Sequence, residues 1–175
     1  FFLLGPTASG KTAVALELAG LLDAEILSLD SMLVYRGMDI GTAKPSAAEL
    51  AAVPHHLINL VEASEEFSVA RYLQAAAAAE AAVQARGKKI LYVGGTIMWF
   101  KALVFGLLDI PDTSPELQRE LDTELQQNGP SALRAQLEAV DHNAAQRIHP
   151  NDTRRLVRAL GVWRTTGKSM SDWQE

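Results

Sequence analysis

The stretch Gly5-Pro6-Thr7-Ala8-Ser9-Gly10-Lys11-Thr12 decides the fold of this chain. It matches the phosphate-loop pattern G-x-x-x-x-G-K-[ST] at every required position. In such a loop the glycines let the backbone curl, so that successive N–H groups point at phosphate oxygens, and the following helix adds its partial positive charge. Lys11 supplies a full positive charge, and the hydroxyl of Thr12 is suited to binding Mg²⁺. The alternative is a glycine turn that binds nothing.

The segments on either side of this loop have the pattern that the motif requires. The apolar run Phe1–Leu4 predicts a buried first strand, and the alanine-rich stretch Lys11–Leu22 predicts a helix. The apolar residues that recur on one side of this helical stretch are Val14, Leu16, Leu18, Leu21 and Leu22. Strand, glycine loop and helix together predict a P-loop NTPase-like α/β fold with a parallel sheet.

Composition narrows the class of protein. A chain of 175 residues with 48% hydrophobic content can form one compact domain, or a domain with an appendage. The absence of cysteine excludes a disulfide framework and a thiolate zinc site, and it is compatible with the cytoplasm. No apolar run approaches the ~20 residues of a membrane span. Because the chain opens inside a predicted strand without a Met, we expect it to be truncated.

A carboxylate follows the second predicted strand. The apolar segment Glu25–Leu29 ends at Asp30, and functional groups in an open parallel sheet collect at the carboxyl ends of strands. The loop Ser31–Pro45 comes next, and its glycines exclude regular structure. Its length favours a binding loop over an ordinary surface connection. The polar contacts expected from it are Tyr35, Arg36, Asp39 and Lys44.

Further elements complete an α/β core over residues 1–111. We predict that His55 and His56 have structural roles, because adjacent strand residues point to opposite faces. The predicted elements are a short helix capped by Ser46, a third strand Leu57–Leu60, a helix Ser68–Arg86, a fourth strand Lys89–Val93, the turn Gly94-Gly95-Thr96 and a helix Ile97–Phe105.

Residues 112–175 contain no strand pattern. They predict an all-helical insertion or appendage, at the end of which the chain starts to return to the α/β core. The predicted elements are a helix that starts at Thr113-Ser114-Pro115-Glu116, a break at Asn128-Gly129-Pro130, a helix to Val140, a short turn capped by Asp141 and a helix from Asp152 to Thr166.

Basic residues concentrate in this appendage, although the net charge of the chain is −5. The segment from Arg147 to Lys168 holds six basic residues and one acid. On the last long helix, Arg154, Arg155 and Arg158 fall on the face opposite the apolar side chains. The alternatives are a solvated charged face and a phosphate-rich partner.

Four stretches resemble one family, in the order in which they occur there. They are GPTASGKT, DSMLVYRGMDIGTAKP, VGGT before an apolar helix, and RIHPNDTRRLVRAL, and they spread from residue 5 to residue 160. The chain resembles the tRNA dimethylallyltransferase family, also called isopentenyl-tRNA transferase. The resemblance implies transfer of a dimethylallyl group from its diphosphate to N6 of an adenosine beside the anticodon of tRNA. The sequence departs from the family's pattern at Leu33, Asn59 and Ile97-Met98-Trp99.

The resemblance also implies roles for individual residues. The diphosphate or nucleotide would be held by Gly5, Pro6, Thr7, Ala8, Ser9, Gly10, Lys11 and Thr12, with Mg²⁺ at Thr12. Asp30 and Thr96 would be catalytic. The tRNA anticodon stem-loop would contact Asp30, Ser31, Met32, Leu33, Arg154, Arg155, Leu156, Val157 and Arg158. A cytoplasmic monomer is expected, with no membrane partner.

Three other functions are compatible with parts of the sequence. An enzyme that prenylates free adenine nucleotides would not need the helical appendage. A small-molecule kinase on the same fold would need an acid for Mg²⁺ after a later strand, where this chain has Gly94-Gly95-Thr96. A non-catalytic RNA-binding module would leave the phosphate loop unexplained.

Overall fold

The strands of the chain lie within its first 107 residues and form one parallel sheet. A computed structural model describes residues 1–174. The strands are β1 (Phe2–Leu4), β2 (Ala24–Leu29), β3 (His55–His56) and β4 (Lys89–Gly94). Their order in the sheet is β1-β4-β2-β3, and every neighbouring pair is parallel. The helices between and after them are α1 (Lys11–Leu22), α2 (Ala47–Ala52), α3 (Val69–Ala85) and α4 (Ile97–Phe105).

Helices cover both faces of this sheet, which is why all six residues of β2 are buried. On one face Ile26 packs in a cluster with Ala15 and Ala19 of α1. On the other face Leu27 packs in a cluster with Tyr72 of α3 and Trp99 of α4, whose rings stack 4.0 Å apart. The predicted α/β fold with a parallel sheet is confirmed.

The predicted bounds of α1 are correct, but its predicted apolar side is only partly correct. Val14 and Leu21 are 48% and 83% exposed, whereas Ala15 and Ala19 are buried. The alanines face the sheet because their small side chains let the helix lie close to β2 and β4. The leucines beside that line are half-buried at its margins: Leu16, Leu18 and Leu22.

The predicted third strand at Leu57–Leu60 is also wrong. The strand is the two residues before it, His55 and His56, and it pairs with Ile26 and Leu27. Leu57 and Asn59 have φ angles of 63° and 53°, which a strand does not tolerate. Leu57 turns into the core, where it is 4% exposed.

Two glycines let three strand ends meet at one edge of the sheet. A Cβ atom on Gly94 would lie 2.1 Å from the carbonyl oxygen of Leu29, at the end of β2. A Cβ atom on Gly95 would lie 2.9 Å from the carbonyl oxygen of Gly5, which follows β1. The turn Gly94-Gly95-Thr96 therefore lies directly between the ends of β1 and β2.

The second compact unit begins at Leu108. The sequence predicted this boundary slightly later, after Pro111. Its helices are α5 (Pro115–Val140), α6 (His142–Arg147), α7 (Thr153–Thr166) and α8 (Met170–Gln174). The predicted break in α5 is confirmed, because Gly129 has a φ of 74° and a ψ of 168°. The short α8 was not predicted.

This unit has its own core. Its fully buried leucines are Leu121, Leu133, Leu137, Leu156 and Leu160. A buried carboxylate adds specificity, since Asp141 accepts hydrogen bonds from the amide of Ala144 and from the amide and hydroxyl of Ser171. These bonds join α6 to α8. Within residues 1–174, no helix is long and apolar enough to cross a membrane.

Candidate active site

The phosphate loop joins β1 to α1 with two residues in the left-handed region. Ala8 and Gly10 have φ angles of 63° and 80°. The amide of Gly5 donates to Gly94 at 3.2 Å, which ties the start of the loop to the end of β4. The ammonium of Lys11 donates to the carbonyl of Pro6 within the loop. Lys11 and Thr12 form the first turn of α1, so the positive end of that helix faces the loop.

A cavity of about 380 Å³ opens over this loop. Its walls are Thr7, Ala8, Ser9, Gly10, Lys11, Thr12, Asp30, Leu33, Ala43, Val93 and Gly94. The structure thus brings six of the eight predicted phosphate-loop residues together with Asp30 and Leu33. Ala43, Val93 and Gly94 were not predicted as site residues, because only the folded loop and the sheet edge bring them there.

Asp30 and Thr96 lie at the ends of adjacent parallel strands, β2 and β4. The carboxylate oxygen Oδ1 of Asp30 accepts a hydrogen bond from the amide of Met32 at 2.9 Å. The hydroxyl of Thr96 accepts one from the amide of Ser31 at 3.1 Å. The amide of Thr96 donates to Leu29 at 3.1 Å. These bonds fix the backbone around Asp30 on both sides.

The loop that follows Asp30 presents different side chains in different directions. Leu33 faces the cavity, whereas Met32 is 43% exposed and is not part of its wall. Arg36 donates to the Asn59 carbonyl at 2.9 Å and pairs with Glu62 at 3.2 Å. Lys44 is bonded within the chain as well. These two cations stabilise the loop.

The lining of the cavity fits a magnesium ion that is coordinated mainly by water and by the phosphate oxygens of a bound ligand. No group of three His, Cys, Asp or Glu side chains is arranged to hold a metal anywhere in residues 1–174. Mg²⁺ commonly keeps several waters and takes one or two protein oxygens together with phosphate oxygens. Thr12 and Asp30 line the same cavity and offer that kind of donor set.

In the helical unit, the arginines of α7 separate from its apolar residues as predicted. Arg154, Arg155 and Arg158 are exposed. Leu156 and Val157 are 0% and 6% exposed, and their side chains belong to the core of this unit. The sequence-based assignment of Leu156 to RNA contact therefore does not fit its burial, whereas Val157 lines a groove together with Arg154 and Arg158.

The basic residues of this segment differ in their partners. Arg164 forms a two-pronged ion pair with Glu124 at 2.8 and 2.9 Å, which lowers the pKa of the Glu124 carboxyl. Arg155 pairs with Asp152 at 3.2 Å. In the part of the chain that the structure describes, Arg154 and Arg158 have no ion pair.

Arg154 and Arg158 also line a groove of about 580 Å³ between α5 and α7. Gln118 and Asp122, one helical turn apart on α5, form the opposite wall, and their side chains are bonded at 3.0 Å. Sequence reasoning missed Gln118 and Asp122. Their i, i+4 spacing on a polar face of α5 was the available signal.

Comparisons with known proteins point to one family. The sequence model of a family described as IPP transferase matches residues 33–175. The tRNA dimethylallyltransferase of Methylococcus capsulatus is 53% identical over 170 residues, which are 97% of this chain and 54% of that protein. The enzyme of the same name from Alkalilimnicola ehrlichii is 53% identical over 173 residues, 99% of this chain and 55% of that protein.

Two solved structures are similar as well. A eukaryotic dimethylallyltransferase acting on tRNA has a TM-score of 0.78 and 32% identity, over 98% of this chain and 42% of that one. The full-length tRNA isopentenylpyrophosphate transferase of Bacillus halodurans has a TM-score of 0.60 and 43% identity, over 95% and 55%. The chain spans about half the length of the relatives that it matches.

Proposed function

This chain belongs to the IPP transferase family, and on that premise we propose that its protein transfers a dimethylallyl group from dimethylallyl diphosphate to N6 of an adenosine beside the anticodon of tRNA. One observation carries the chemistry: Asp30 lines the same cavity as the phosphate loop. A group that accepts a proton thus stands beside the group that binds the diphosphate. The cytoplasmic location and monomeric state expected from the sequence belong to the same proposal.

The phosphate loop assists the departure of diphosphate. As the bond between the prenyl carbon and the diphosphate oxygen breaks, negative charge grows on that oxygen. Lys11, the loop amides and the positive end of α1 stabilise this charge where it develops. Mg²⁺ beside Thr12, when bound, neutralises further charge on the diphosphate.

Asp30 acts on the nucleophile. The exocyclic amine of adenine is a weak nucleophile, and it becomes better as its proton is removed. A new bond forms between N6 and the prenyl carbon, the carbon–oxygen bond breaks, and the proton passes to the carboxylate of Asp30. A positioned general base contributes about 10²–10⁴ in rate. Thr96 and Ser31, bonded to each other, keep the backbone of Asp30 in place.

The RNA contacts that we propose are of two kinds. The target base must leave its stack to reach a carboxylate in a cavity, and the exposed Met32 lies beside Asp30 to contact it. Arg154, Arg155 and Arg158 would contact backbone phosphates and so fix the position of the RNA. Leu156 and Val157 support these arginines from the core.

The test uses the full-length protein with labelled dimethylallyl diphosphate. We expect label to pass to tRNA that carries adenosine beside the anticodon. A matched tRNA with guanosine at that position lacks the N6 amine and should take up none. Label on free adenine nucleotides in place of tRNA would favour the adenylate prenyltransferase. Phosphoryl transfer from ATP to small alcohols, without prenyl transfer, would favour a kinase and contradict the proposal.

A further inference from the structure

Lys44 is a nearly buried lysine whose three N–H donors all have partners. Its side chain is 5% exposed. The ammonium donates to the carbonyl oxygen of Tyr35 at 2.8 Å, to Oδ1 of Asp39 at 2.6 Å and to Oδ1 of Asn59 at 2.8 Å. An ammonium has three donors, and burying it is tolerated only when they are satisfied. Lys44 is therefore built into the protein and has no donor left for a ligand.

The three acceptors belong to separate segments. Tyr35 and Asp39 lie in the first and middle parts of the loop Ser31–Pro45, and Asn59 lies beyond β3. The segment around Asn59 is itself bonded to the start of the loop, since its amide donates to the carbonyl of Leu33 at 3.0 Å. Lys44 thus closes the returning end of the loop onto its beginning.

Ala43, directly before Lys44, forms part of the cavity wall with Leu33. Ala43 has a φ of 55°, in the left-handed region that alanine seldom adopts. Such a conformation persists only when its surroundings hold it. The methyl side chain of Ala43 cannot form a hydrogen bond. The hydrogen bonds of the adjacent Lys44 therefore hold Ala43 in this conformation.

We propose that Lys44 is a positioning residue, which holds Leu33 and Ala43 in place as the apolar wall of the cavity. The wall suits the hydrocarbon tail of the substrate, whereas the phosphate loop suits the diphosphate. This inference rests on the proposed function, because it takes dimethylallyl diphosphate as the ligand. It makes Lys44 a determinant of affinity for the tail without any contact to the ligand.

The test compares two ligands of the same phosphate loop. Lys44→Met keeps the length of the side chain and removes all three bonds. Asp39 and Asn59 are exposed and regain water, so the fold should survive. In calorimetric titrations of the full-length protein with Mg²⁺, affinity for dimethylallyl diphosphate should fall about tenfold, the equivalent of roughly 50 Å² of apolar surface no longer buried. Affinity for inorganic diphosphate should change less than twofold.

A matched variant and a second measurement complete the test. Lys88→Met removes the exposed ion pair of Lys88 with Asp23 and should change neither affinity. In Lys44→Met, amide hydrogen exchange should accelerate over residues 37–43 and stay unchanged over β2. An unchanged ratio of the two affinities, or an equal loss of both, would overturn the role of Lys44. A wild-type protein that binds neither ligand would instead overturn the proposed function.

Discussion

The carboxylate of Asp30 has one bonded oxygen and one that is available to a ligand. Its Oδ1 accepts from the amide of Met32 at 2.9 Å, and within residues 1–174 the structure gives its Oδ2 no partner. The hydrogen bond to Oδ1 orients the carboxylate, and Oδ2 stays available to accept a proton. A general base in a cavity needs both properties.

Asp30→Asn should therefore affect the chemical step more than binding. The amide is nearly isosteric but cannot accept the proton, so single-turnover prenyl transfer should fall by about 10²–10⁴. The affinities for tRNA and dimethylallyl diphosphate should change only a few-fold. Rapid-quench kinetics on enzyme–substrate complexes measures the step directly.

A metal titration of the same variant separates the two roles that Asp30 could have. If Asp30 supports Mg²⁺ beside Thr12, excess Mg²⁺ should restore the rate. A rate that stays low at saturating Mg²⁺, with intact binding, agrees with the general base. Recovery of the rate would contradict it.

At the scale of one element, β2 has a carboxylate, Glu25, near the end opposite to the one that Asp30 follows. Glu25 accepts from Arg86 at 2.9 and 2.7 Å and from His56 at 2.5 Å. The Arg86 guanidinium, and after it His56, lowers the pKa of the Glu25 carboxyl from 4.5 to about 2, against the opposing effect of burial. The cluster joins β2 to β3 and to the end of α3.

This lowered pKa predicts a pH-dependent contribution to stability. Because the folded-state pKa lies below the unfolded one, the stabilisation is complete above pH 4.5 and is lost as the pH falls towards 2. At pH 7, Glu25→Gln should cost about 1–3 kcal/mol in the free energy of unfolding. Urea denaturation should show this deficit shrinking as the pH is lowered through that range. Glu17→Gln, on the exposed face of α1, should show no such trend, and a constant deficit in Glu25→Gln would contradict the assignment.

The exposed face of α7 supports a prediction about salt. Changing Arg154 and Arg158 to Ala together should weaken tRNA binding and reduce its log–log salt slope by roughly 1 for each phosphate that the protein no longer neutralises. Affinity for diphosphate should not change. Fluorescence titrations at several salt concentrations measure the slope. Arg119→Ala is the matched control, because Arg119 already pairs with Glu116; an unaltered slope in the double variant would make this helix face a solvated one.

At the scale of the whole molecule, we expect residues 108–175 to fold alone, because this unit has a core of its own. Leu121, Leu137 and Leu160 are fully buried within this unit, and Asp141 bonds α6 to α8. We expect the isolated segment to give a helical circular dichroism spectrum and one cooperative thermal transition. Leu137→Ala should abolish the transition, since such a change costs about 2–5 kcal/mol and the unit is small. A broad, non-cooperative melt of the unchanged segment would contradict the prediction.

Features that depend on neighbouring residues were predicted from the sequence. Ser114 and Asp152 cap α5 and α7 through bonds three residues away, and Gly129 breaks α5 because of its own backbone. The phosphate loop has its own local sequence pattern, and Asp30 directly follows an apolar strand, so both could be expected at the carboxyl ends of parallel strands.

Features that depend on distant residues were not. The buried face of α1 is set by Ala15 and Ala19 against the sheet, so larger side chains such as Leu21 misled the prediction. Ala43 lies in the cavity wall beside Lys44, which bonds to residues distant along the loop and beyond it. Gln118 and Asp122 face Arg154 and Arg158 only once α5 packs on α7.

The close approach of Gly94 to Leu29 has a consequence for how this gene can vary. No side chain fits 2.1 Å from a backbone carbonyl, so every missense codon at position 94 should be lethal to folding in a saturation library. Gly20, in the last turn of α1, has no other atom within 4 Å of the position that a Cβ would take, and it should accept alanine with a gain in helix stability. Gly94 and Gly20 are the same residue type, but substitutions should be least tolerated at position 94 and well tolerated at position 20.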